Sequence, residues 1–491
     1  MAKSPHTSSG GTGASAFAEH HGLISGEAKK QWRDVLARVK AEKLEVIRIS
    51  FADQHGILRG KTIVVSELES AVRNGVTMVS TLLLKDTSHR TVFPVWQLDV
   101  GLGEGVLTGA GDFVMVPDPS SFRILPWSPH SGWLLADIYL NSGEPVPFSS
   151  RHILRKALGG LDAHNAEFVS GLEVEFHVYK VSDPAMRHSD GGMPHAPPET
   201  SLISPGYQYL TEDHYDQLEP VMDMIRRACE KLDLPIRSME VEFGASQCEV
   251  TFRPAAGMAH ADNMMLFRSA VKQLCRREGL HATFMSRPRV ANAMGSGWHL
   301  HQSLVDRKTG ASLFMPEEGE LLSNTAAHWV AGILEHAAAS CLLTTPTLNG
   351  YKRYQPFQLA PDRVQWGRDN KGAMIRALAA PGDRASRIEN RVGDPAANPY
   401  FYLASQVASG LDGLKRKLQP PEPSATPYAS QAALLPKSLG EALEAFSGSS
   451  FYRQSLGDVF VEYLAFIKRA EWNRYLGEVS EWEQKEYFRL F

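Results

Sequence analysis

The sequence predicts an α+β protein built from two structural units. Three observations support this. The chain has 491 residues, more than a single hydrophobic core usually organises. Hydrophobic residues make up 43% of it, which is enough to fill two cores. Segments with the period-two alternation of strands and segments with helical spacing occur in both halves. We therefore expect both helices and strands in each unit.

The smaller predicted unit covers residues 29–147 and follows a Ser-, Gly-, Thr- and Ala-rich stretch, residues 1–28, that has little to bury. That stretch is expected to be a flexible extension. Apolar spacing predicts a helix from Glu27 to Glu42, and alternation predicts a strand from Glu45 to Phe51. The residues Asp53 to Gly56 then read as a hairpin turn.

The larger predicted unit covers residues 148–491. Its first segments are expected to be a helix from Ser150 to His164, a strand pair from Glu167 to Lys180 and a helix from Tyr215 to Leu232. Ser182 to Pro205, rich in Pro, Gly and His, is expected to be a loop.

Composition excludes several function classes. A formal charge of -4 without any long Lys/Arg run gives no electrostatic footprint for nucleic acid or anionic lipid. No segment approaches the roughly 20 apolar residues that would cross a bilayer. The four cysteines are widely spaced, which is typical of reduced thiols rather than of disulfides or a zinc site, so we expect a cytoplasmic protein. No phosphate-binding P-loop motif is present.

Carboxylates and histidines are concentrated in a few strand-like segments. Glu173 and Glu175 lie two apart in an apolar run, so both project from one face of a strand and repel each other unless a cation lies between them. Glu242 and Glu249 flank a second segment, and His299 and His301 alternate in a third. Each pattern alone also has an ordinary explanation, such as a solvated strand face or a hydrogen-bonded histidine.

The order of these segments is more specific than any one of them. The motifs E-x-E, E-x(4)-Q-x-E, G-S-G-x-H-x-H-x-S, N-x-Y-K-R, R-x-E-x-R and D-P-x-x-N-P-Y follow one another along the chain. Together they resemble the glutamine synthetase superfamily across roughly residues 45–490. The resemblance implies a β-grasp-like N-terminal domain and a catalytic domain whose curved antiparallel sheet, flanked by helices, lines a funnel. It also implies a homo-oligomer of two hexameric rings, a dodecamer.

The resemblance further implies ATP and L-glutamate at opposite ends of the funnel, with two or three Mg²⁺ or Mn²⁺ ions between them. One ion would be held by Glu175, Glu242 and Glu249, and another by Glu173, His299 and Glu389. Predicted contacts to the nucleotide phosphates come from His301, Ser303, Arg387 and Lys371. Predicted contacts to glutamate and the transferred phosphoryl group come from Gly295, Arg353, Arg376 and Arg391.

The predicted amine end departs from the family pattern. Ammonia-using members carry a glutamate in the loop after N-x-Y-K-R, where this chain has Leu359. They also have an aspartate in the N-terminal domain, whereas the corresponding segment here, residues 77–84, has none. Met294 and Trp298 replace the usual Asn and Met around the G-S-G motif. An apolar pocket of Met294, Trp298, Phe357, Leu359 and the Leu82 to Leu84 segment could accept a flat ring.

Arylamines are neutral at pH 7, whereas alkylamines arrive protonated, with pKa values near that of lysine, about 10.4. The leading hypothesis is therefore an ATP-dependent γ-glutamyl-amide ligase for an organic amine, with an aniline-like amine favoured. Alternatives are a ligase for an alkylamine, polyamine or ethanolamine, a true glutamine synthetase, and a catalytically silent nitrogen sensor. A displaced acid, Asp86 or Asp362, could also supply the base.

Overall fold

The computed structural model describes residues 16–97, 102, 107–291 and 293–491. These residues form two compact units. The smaller contains the chain up to Phe51 together with Gly60–Val79 and Asp112–Val146, and the larger contains Ala52–Arg59, Ser80–Gly111 and Pro147–Phe491. The first 15 residues of the predicted extension lie outside the described part, and the predicted domain limits remain predictions.

The smaller unit is a six-stranded sheet with short helices. Its strand order is β2-β1-β6-β4-β3, with β5 also paired to β6, and β1 runs parallel to β6. The predicted first helix is confirmed: Ser25 caps it, and Trp32, Val35 and Val39 are buried along one face. The elements, in chain order, are α1 (Phe17–His20), α2 (Gly26–Ala41), β1 (Val46–Ala52), β2 (Leu58–Val64), α3 (Leu68–Asn74), β3 (Val76–Val79), β4 (Asp112–Pro117), β5 (Arg123–Ile124) and β6 (Ser131–Tyr139).

The predicted hairpin turn is also confirmed. The Asp53 carboxylate accepts hydrogen bonds from the backbone N–H groups of His55 and Ile57, each at 2.9 Å. Gly56 has a φ of +67°, a conformation that favours glycine. An aspartate followed by a left-handed glycine therefore fixes the turn.

The larger unit is built on a ten-stranded sheet with helices beside it. Its main path is β14-β15-β16-β13-β7-β10-β9, and β8, β11 and β12 also pair with β7. The strands are β7 (Ala166–Val181), β8 (Thr200–Ser201), β9 (Ile236–Val241), β10 (Gln247–Phe252), β11 (Ala255–Ala256), β12 (Leu280–Thr283), β13 (Trp298–Asp306), β14 (Trp366–Arg368), β15 (Ile375–Leu378) and β16 (Arg387–Asn390). The helices are α4 (Ser150–Gly159), α5 (Glu212–Lys231), α6 (Ala259–Arg277), α7 (Asn324–Glu335), α8 (Ala337–Thr344), α9 (Pro399–Arg416), α10 (Leu439–Ser447), α11 (Ser450–Leu456), α12 (Asp458–Leu476) and α13 (Glu481–Tyr487).

The predicted strand pair between Glu167 and Lys180 is wrong, because this segment is the single 16-residue strand β7. It contains no turn residues except Gly171, and that glycine lies within the strand opposite His301. A Cβ atom at Gly171 would come 3.4 Å from the His301 side chain, which is ordinary van der Waals contact. The central strand therefore carries both acids of the E-x-E motif without interruption.

One face of the sheet packs on helices. Leu300 of β13 is fully buried, and Gln302 donates a hydrogen bond to Gln406 of α9 at 3.0 Å. The residues that alternate with them, His299 and His301, therefore point to the opposite face. All four cysteines are free and buried, as predicted. Within the described residues, no helix has the length and apolar character to span a bilayer.

Candidate active site

Two neighbouring strands bring the first group of acids together. In the register of β7 and β10, Glu175 lies directly opposite Glu249, and both side chains are buried. Glu242 follows the end of β9, on the other side of β10. The Glu175 carboxylate accepts hydrogen bonds from the Gly297 backbone N–H at 3.0 Å and from the Gln247 amide at 3.1 Å. Gln247 therefore fixes the orientation of Glu175.

Burial and mutual repulsion change the charge state of these acids. Burial, with the nearby Glu242 carboxylate, raises the pKa of Glu175 to about 8. Burial also raises the pKa of Glu242 to about 7, and burial followed by Glu173 and Glu175 raises that of Glu249 to about 11. A divalent cation among these oxygens would offset the repulsion, so their donor set fits a hard metal ion.

A second group surrounds His299. Its Nδ1 lies 2.7 Å from Glu173 and 3.5 Å from Glu389, and His301 Nε2 lies 3.1 Å from Glu173. Burial, with Arg391, lowers the pKa of His299 to about 4, which keeps the ring neutral and able to ligate. Two triplets have ligand atoms within 4.8 Å of one another: Glu173 with Glu249 and His299, and Glu173 with His301 and Glu389.

The geometry thus brings Glu173, His299 and Glu389 together, as the sequence predicts for one ion. The two predicted ligand groups are not separate in the structure. Glu249, which is predicted to share one ion with Glu175, also lies close to Glu173 and His299 of the other group. His301, predicted to meet phosphate, joins the carboxylates and accepts a hydrogen bond from Arg387 Nε at 3.2 Å. Ser303 donates to the Ser386 backbone carbonyl at 3.1 Å.

Three arginines face this cluster. Glu389 is fully buried between Arg376, at 3.1 Å, and Arg391. Arg353 is buried beside them, with Nη1 donating to the Arg391 backbone carbonyl at 3.0 Å and Nη2 at 3.2 Å from His299 Nε2. Within the described residues, no carboxylate forms an ion pair with Arg353. Lys371 is exposed and lowers the pKa of Glu242, against the larger effect of burial.

The glycines of the G-S-G motif leave space for Arg353. A Cβ atom at Gly297 would lie 2.4 Å from Arg353 Nη2, and one at Gly295 would lie 3.0 Å from its Cγ. Asn349, in the N-x-Y-K-R loop, accepts from the Arg287 backbone N–H at 2.7 Å and donates to its carbonyl at 3.0 Å. Asn349 therefore anchors the loop that carries Arg353, a role the sequence did not indicate.

The loop after Arg353 presents apolar side chains to solvent. Phe357 is 83% exposed and Leu359 59% exposed, and both adopt left-handed backbone conformations. The Leu359 backbone carbonyl accepts a hydrogen bond from Arg391 Nη2 at 3.2 Å. Leu359 therefore lies at the edge of the arginine group, and its carbonyl, rather than a side-chain carboxylate, contacts it.

Two expectations about the amine pocket require correction. Trp298 is fully buried and its ring packs edge-on against Tyr402 of α9 at 4.9 Å, because it alternates with His299 and points to the helix-facing side. Leu83 and Leu84 are also buried, and Tyr463 donates a hydrogen bond to the Leu83 carbonyl. All three side chains are therefore core residues and are not available to line an open pocket.

The two candidate displaced acids differ in their surroundings. Asp86 pairs with Arg474 and accepts from the backbone N–H groups of Ser88 and Arg90, each at 2.9 Å, which is a structural role. Asp362, next to the loop of Leu359, has one carboxylate oxygen that is buried without a hydrogen-bond partner among the described residues. Asp362 is thus the better candidate for a base.

The structure also reveals aromatic side chains that the sequence reading missed. At the end of β9, next to Glu242, the ring of Phe243 contacts both Tyr207 and Tyr209, and these two tyrosines follow directly after the predicted excursion loop. In the sequence, these residues appear as a Y-x-Y pair and as a phenylalanine directly after the candidate ligand Glu242. Only the fold shows that the two segments lie side by side.

A sheet that presents carboxylates, histidines and arginines on one face, with helices on the other, defines an enzyme catalytic domain. Residues 147–487 match the family model described as glutamine synthetase, catalytic domain. The chain belongs to the glutamine synthetase family of ATP-dependent ligases.

Individual relatives extend this match over nearly the whole chain. A gamma-glutamylanilide synthase from Acinetobacter sp is 42% identical over 475 residues, covering 93% of this chain and 95% of the relative. A glutamine synthetase from Methanosarcina mazei is 31% identical over 471 residues, covering 93% and 97%. Among solved structures, a GmaS/ADP complex superposes with a TM-score of 0.77 at 27% identity and covers 92% of this chain and 99% of that chain.

Proposed function

We propose that this protein joins the γ-carboxylate of L-glutamate to an aromatic amine of the aniline type, forming a γ-glutamyl amide while ATP is converted to ADP and phosphate. The observation that carries the proposal is Leu359, an apolar residue at the place where ammonia-using relatives have an acid. Its carbonyl lies 3.2 Å from Arg391. The 42% identity to a gamma-glutamylanilide synthase supports the same substrate class.

The metal ions of this reaction would be Mg²⁺ or Mn²⁺. The candidate ligands are Glu173, Glu175, Glu242, Glu249, His299, His301 and Glu389. Their fit is supported by the raised pKa values of Glu175, Glu242 and Glu249 and by the neutral His299. When bound, such ions offset the charge of the ATP phosphates and of the acyl phosphate.

Arginine side chains would perform the remaining charge stabilisation. Attack of a carboxylate on the γ-phosphate brings two anions together, so guanidinium groups must face both. Arg353, a buried cation with no ion-pair partner among the described residues, would bind the α-carboxylate of glutamate. Arg376 and Arg391, fixed on either side of Glu389, would meet the transferred phosphoryl group.

The amine step then needs little from the protein before attack. An arylamine already has a free lone pair at neutral pH, so no base has to generate it. The carbonyl of the γ-glutamyl phosphate is attacked by nitrogen, phosphate leaves with the bridging oxygen, and the nitrogen loses one proton. Asp362 is the carboxylate with a partner-free oxygen closest in sequence to Leu359 and would accept that proton.

The experiment compares nucleophiles at fixed ATP, L-glutamate and Mg²⁺ or Mn²⁺. ADP release is measured with ammonium, methylamine, putrescine, ethanolamine and aniline, and the mass of each product is determined. Aniline is expected to give the highest kcat/KM and a γ-glutamylanilide product. A preference for ammonium with no anilide would refute the proposal.

The second candidate is a true glutamine synthetase. It is favoured by the 31% identity to such an enzyme and by Asp362, if that acid replaces the missing glutamate as a base for ammonium. Glutamine as the main product in the same assay would establish it.

For either activity we propose a cytoplasmic dodecamer of two hexameric rings. Light scattering of the purified protein measures the mass of the oligomer.

A further inference from the structure

Three exposed aromatic side chains border the acid cluster, and we call them the aromatic rim: Tyr207, Tyr209 and Phe243. The rings of Tyr207 and Phe243 meet edge to face at 5.6 Å, and those of Tyr209 and Phe243 are tilted at 5.9 Å. All three are about two-fifths exposed. Aromatic rings usually bury themselves, so two tyrosine rings that contact a central phenylalanine while all three stay accessible form a surface suited to another ring.

Tight backbone packing holds the aromatic rim in place. The Tyr207 backbone N–H donates to the Phe243 carbonyl at 2.9 Å. A Cβ atom at Gly206 would lie 2.5 Å from the Ala245 nitrogen, and one at Gly244 would lie 3.1 Å from the Met294 nitrogen. The segments around residues 207, 243 and 294 therefore converge, and the backbone of Met294 adjoins the rim from the G-S-G side.

The aromatic rim also lies next to the reacting groups. Glu242 directly precedes Phe243, and its carboxylate accepts from the Phe243 backbone N–H at 3.1 Å. Burial, followed by the charges of Glu242 and Glu249, raises the pKa of Tyr209. Beyond Met294, Gly295 packs against Arg353. The rim thus adjoins Glu242 of the acid cluster, and the segment of Met294 and Gly295 connects it to the proposed glutamate-binding arginine.

We propose that the aromatic rim, with Met294, binds the aryl ring of the amine and directs its nitrogen toward the acyl phosphate. This assignment rests on the proposed function. The rim offers ring faces and edges, and Met294 would add a flexible thioether. A flat ring fills such contacts, whereas ammonium cannot use them. Two features would then favour an arylamine. Leu359 provides no acid to bind ammonium, and the surface around Phe243 binds the ring.

A cationic amine is the competing occupant, because aromatic rings near carboxylates also attract ammonium groups. The two occupants differ in a measurable way. A ring-binding surface prefers aniline over cyclohexylamine, its saturated counterpart that is protonated at pH 7. A cation-binding surface prefers cyclohexylamine or another alkylammonium.

The test uses Phe243→Ala in the full-length protein, with Tyr215→Ala as the matched control, since Tyr215 is an exposed aromatic residue on α5 outside the rim. Hydroxylamine serves as a small nucleophile without a ring. For Phe243→Ala, the ratio of kcat/KM with aniline to kcat/KM with hydroxylamine is expected to fall about tenfold or more, chiefly through KM for aniline. Phe243→Tyr retains a ring and should restore most of the ratio. Tyr215→Ala should leave the ratio at its wild-type value.

Other results would overturn the assignment. An equal loss with both nucleophiles, or a changed oligomer mass, would indicate a structural role for Phe243. A rise in KM for ATP alone would assign the rim to the adenine ring, and a larger loss with cyclohexylamine would assign it to a cation. If the wild-type protein makes no anilide, the proposed function fails; if it makes anilide and Phe243→Ala keeps the ratio, only the role of the aromatic rim fails.

Discussion

Two regions of the proposed active site differ in the burial and hydrogen bonding of their side chains: the acids and arginines on the sheet, here called the phosphoryl end, and the loop of Leu359, here called the amine end. At the phosphoryl end, Glu175 accepts two hydrogen bonds and Glu389 lies fully buried between two arginines. At the amine end, Phe357 and Leu359 point into solvent from an irregular loop. In the proposed function, phosphoryl transfer would depend on buried charges on strands, whereas the choice of acceptor would depend on exposed residues that are freer to differ.

The largest expected effect comes from removing a carboxylate from the phosphoryl end. Glu175→Ala removes a carboxylate that lies opposite Glu249, so one of the proposed metal sites would lose a ligand. We expect kcat to fall by about a thousandfold or more and Mn²⁺ affinity to fall with it. The control is Glu167→Gln, which changes an acid on the same strand but outside the cluster. Wild-type turnover and Mn²⁺ binding by Glu175→Ala would remove it from the ligand set.

The next effect concerns glutamate. Arg353→Lys keeps the positive charge but loses the planar fork, so KM for glutamate should rise roughly a hundredfold while KM for ATP changes little. Lys352→Ala, an exposed neighbour, is the matched control. Steady-state kinetics with each substrate varied in turn measure the difference. An equal rise in both KM values would contradict a role in binding the α-carboxylate.

The buried acids predict a pH dependence of the metal-free protein. The pKa of Glu175 is raised from 4.5 to about 8 in the folded state, so the unfolded chain releases this proton first as pH rises. Between pH 5 and 8 the folded state binds more protons, and the contribution of this carboxyl to stability decreases by up to about 1.4 kcal/mol per pH unit. Urea unfolding with EDTA at pH 6 and 8 measures the loss, which Mn²⁺ should offset.

The smallest expected effect changes the amine end. Leu359→Glu puts a carboxylate on the loop whose backbone carbonyl at residue 359 contacts Arg391, and an acid on this loop can bind ammonium and accept its proton. The ratio of kcat/KM for ammonium to kcat/KM for aniline should rise about five- to tenfold. Leu359→Gln, of similar size but uncharged, is the control. The same rise in Leu359→Gln would show that shape, not charge, determines the preference.

Much of the phosphoryl end could be predicted from the sequence. Period-two spacing placed Glu173 with Glu175 and His299 with His301 on single strand faces, and the order of the motifs placed these strands in one sheet. The same alternation, applied to Trp298, would have shown that it points away from His299 and packs on Tyr402. That residue was assigned by its position in a motif rather than by its side of the strand.

The side chains that surround the amine end could not be predicted from spacing and motif order. In the aromatic rim, residues 207 and 209 lie beside residue 243 because the two backbone segments pack closely at Gly206. Local sequence patterns do not reveal such a contact between distant segments. Leu83 and Leu84 are as apolar as Leu359, but they are buried in the core whereas Leu359 is exposed. Apolar character alone does not distinguish a pocket from a core.

The most direct test follows oxygen from glutamate to phosphate with aniline and ammonium present at equal concentration. L-Glutamate labelled with ¹⁸O in its γ-carboxylate is incubated with ATP and Mg²⁺ or Mn²⁺, and both products are analysed by mass spectrometry. A γ-glutamyl phosphate attacked by an arylamine predicts γ-glutamylanilide as the main amide and one labelled oxygen in each phosphate. Unlabelled phosphate, or labelled phosphate with glutamine as the main amide, would contradict it.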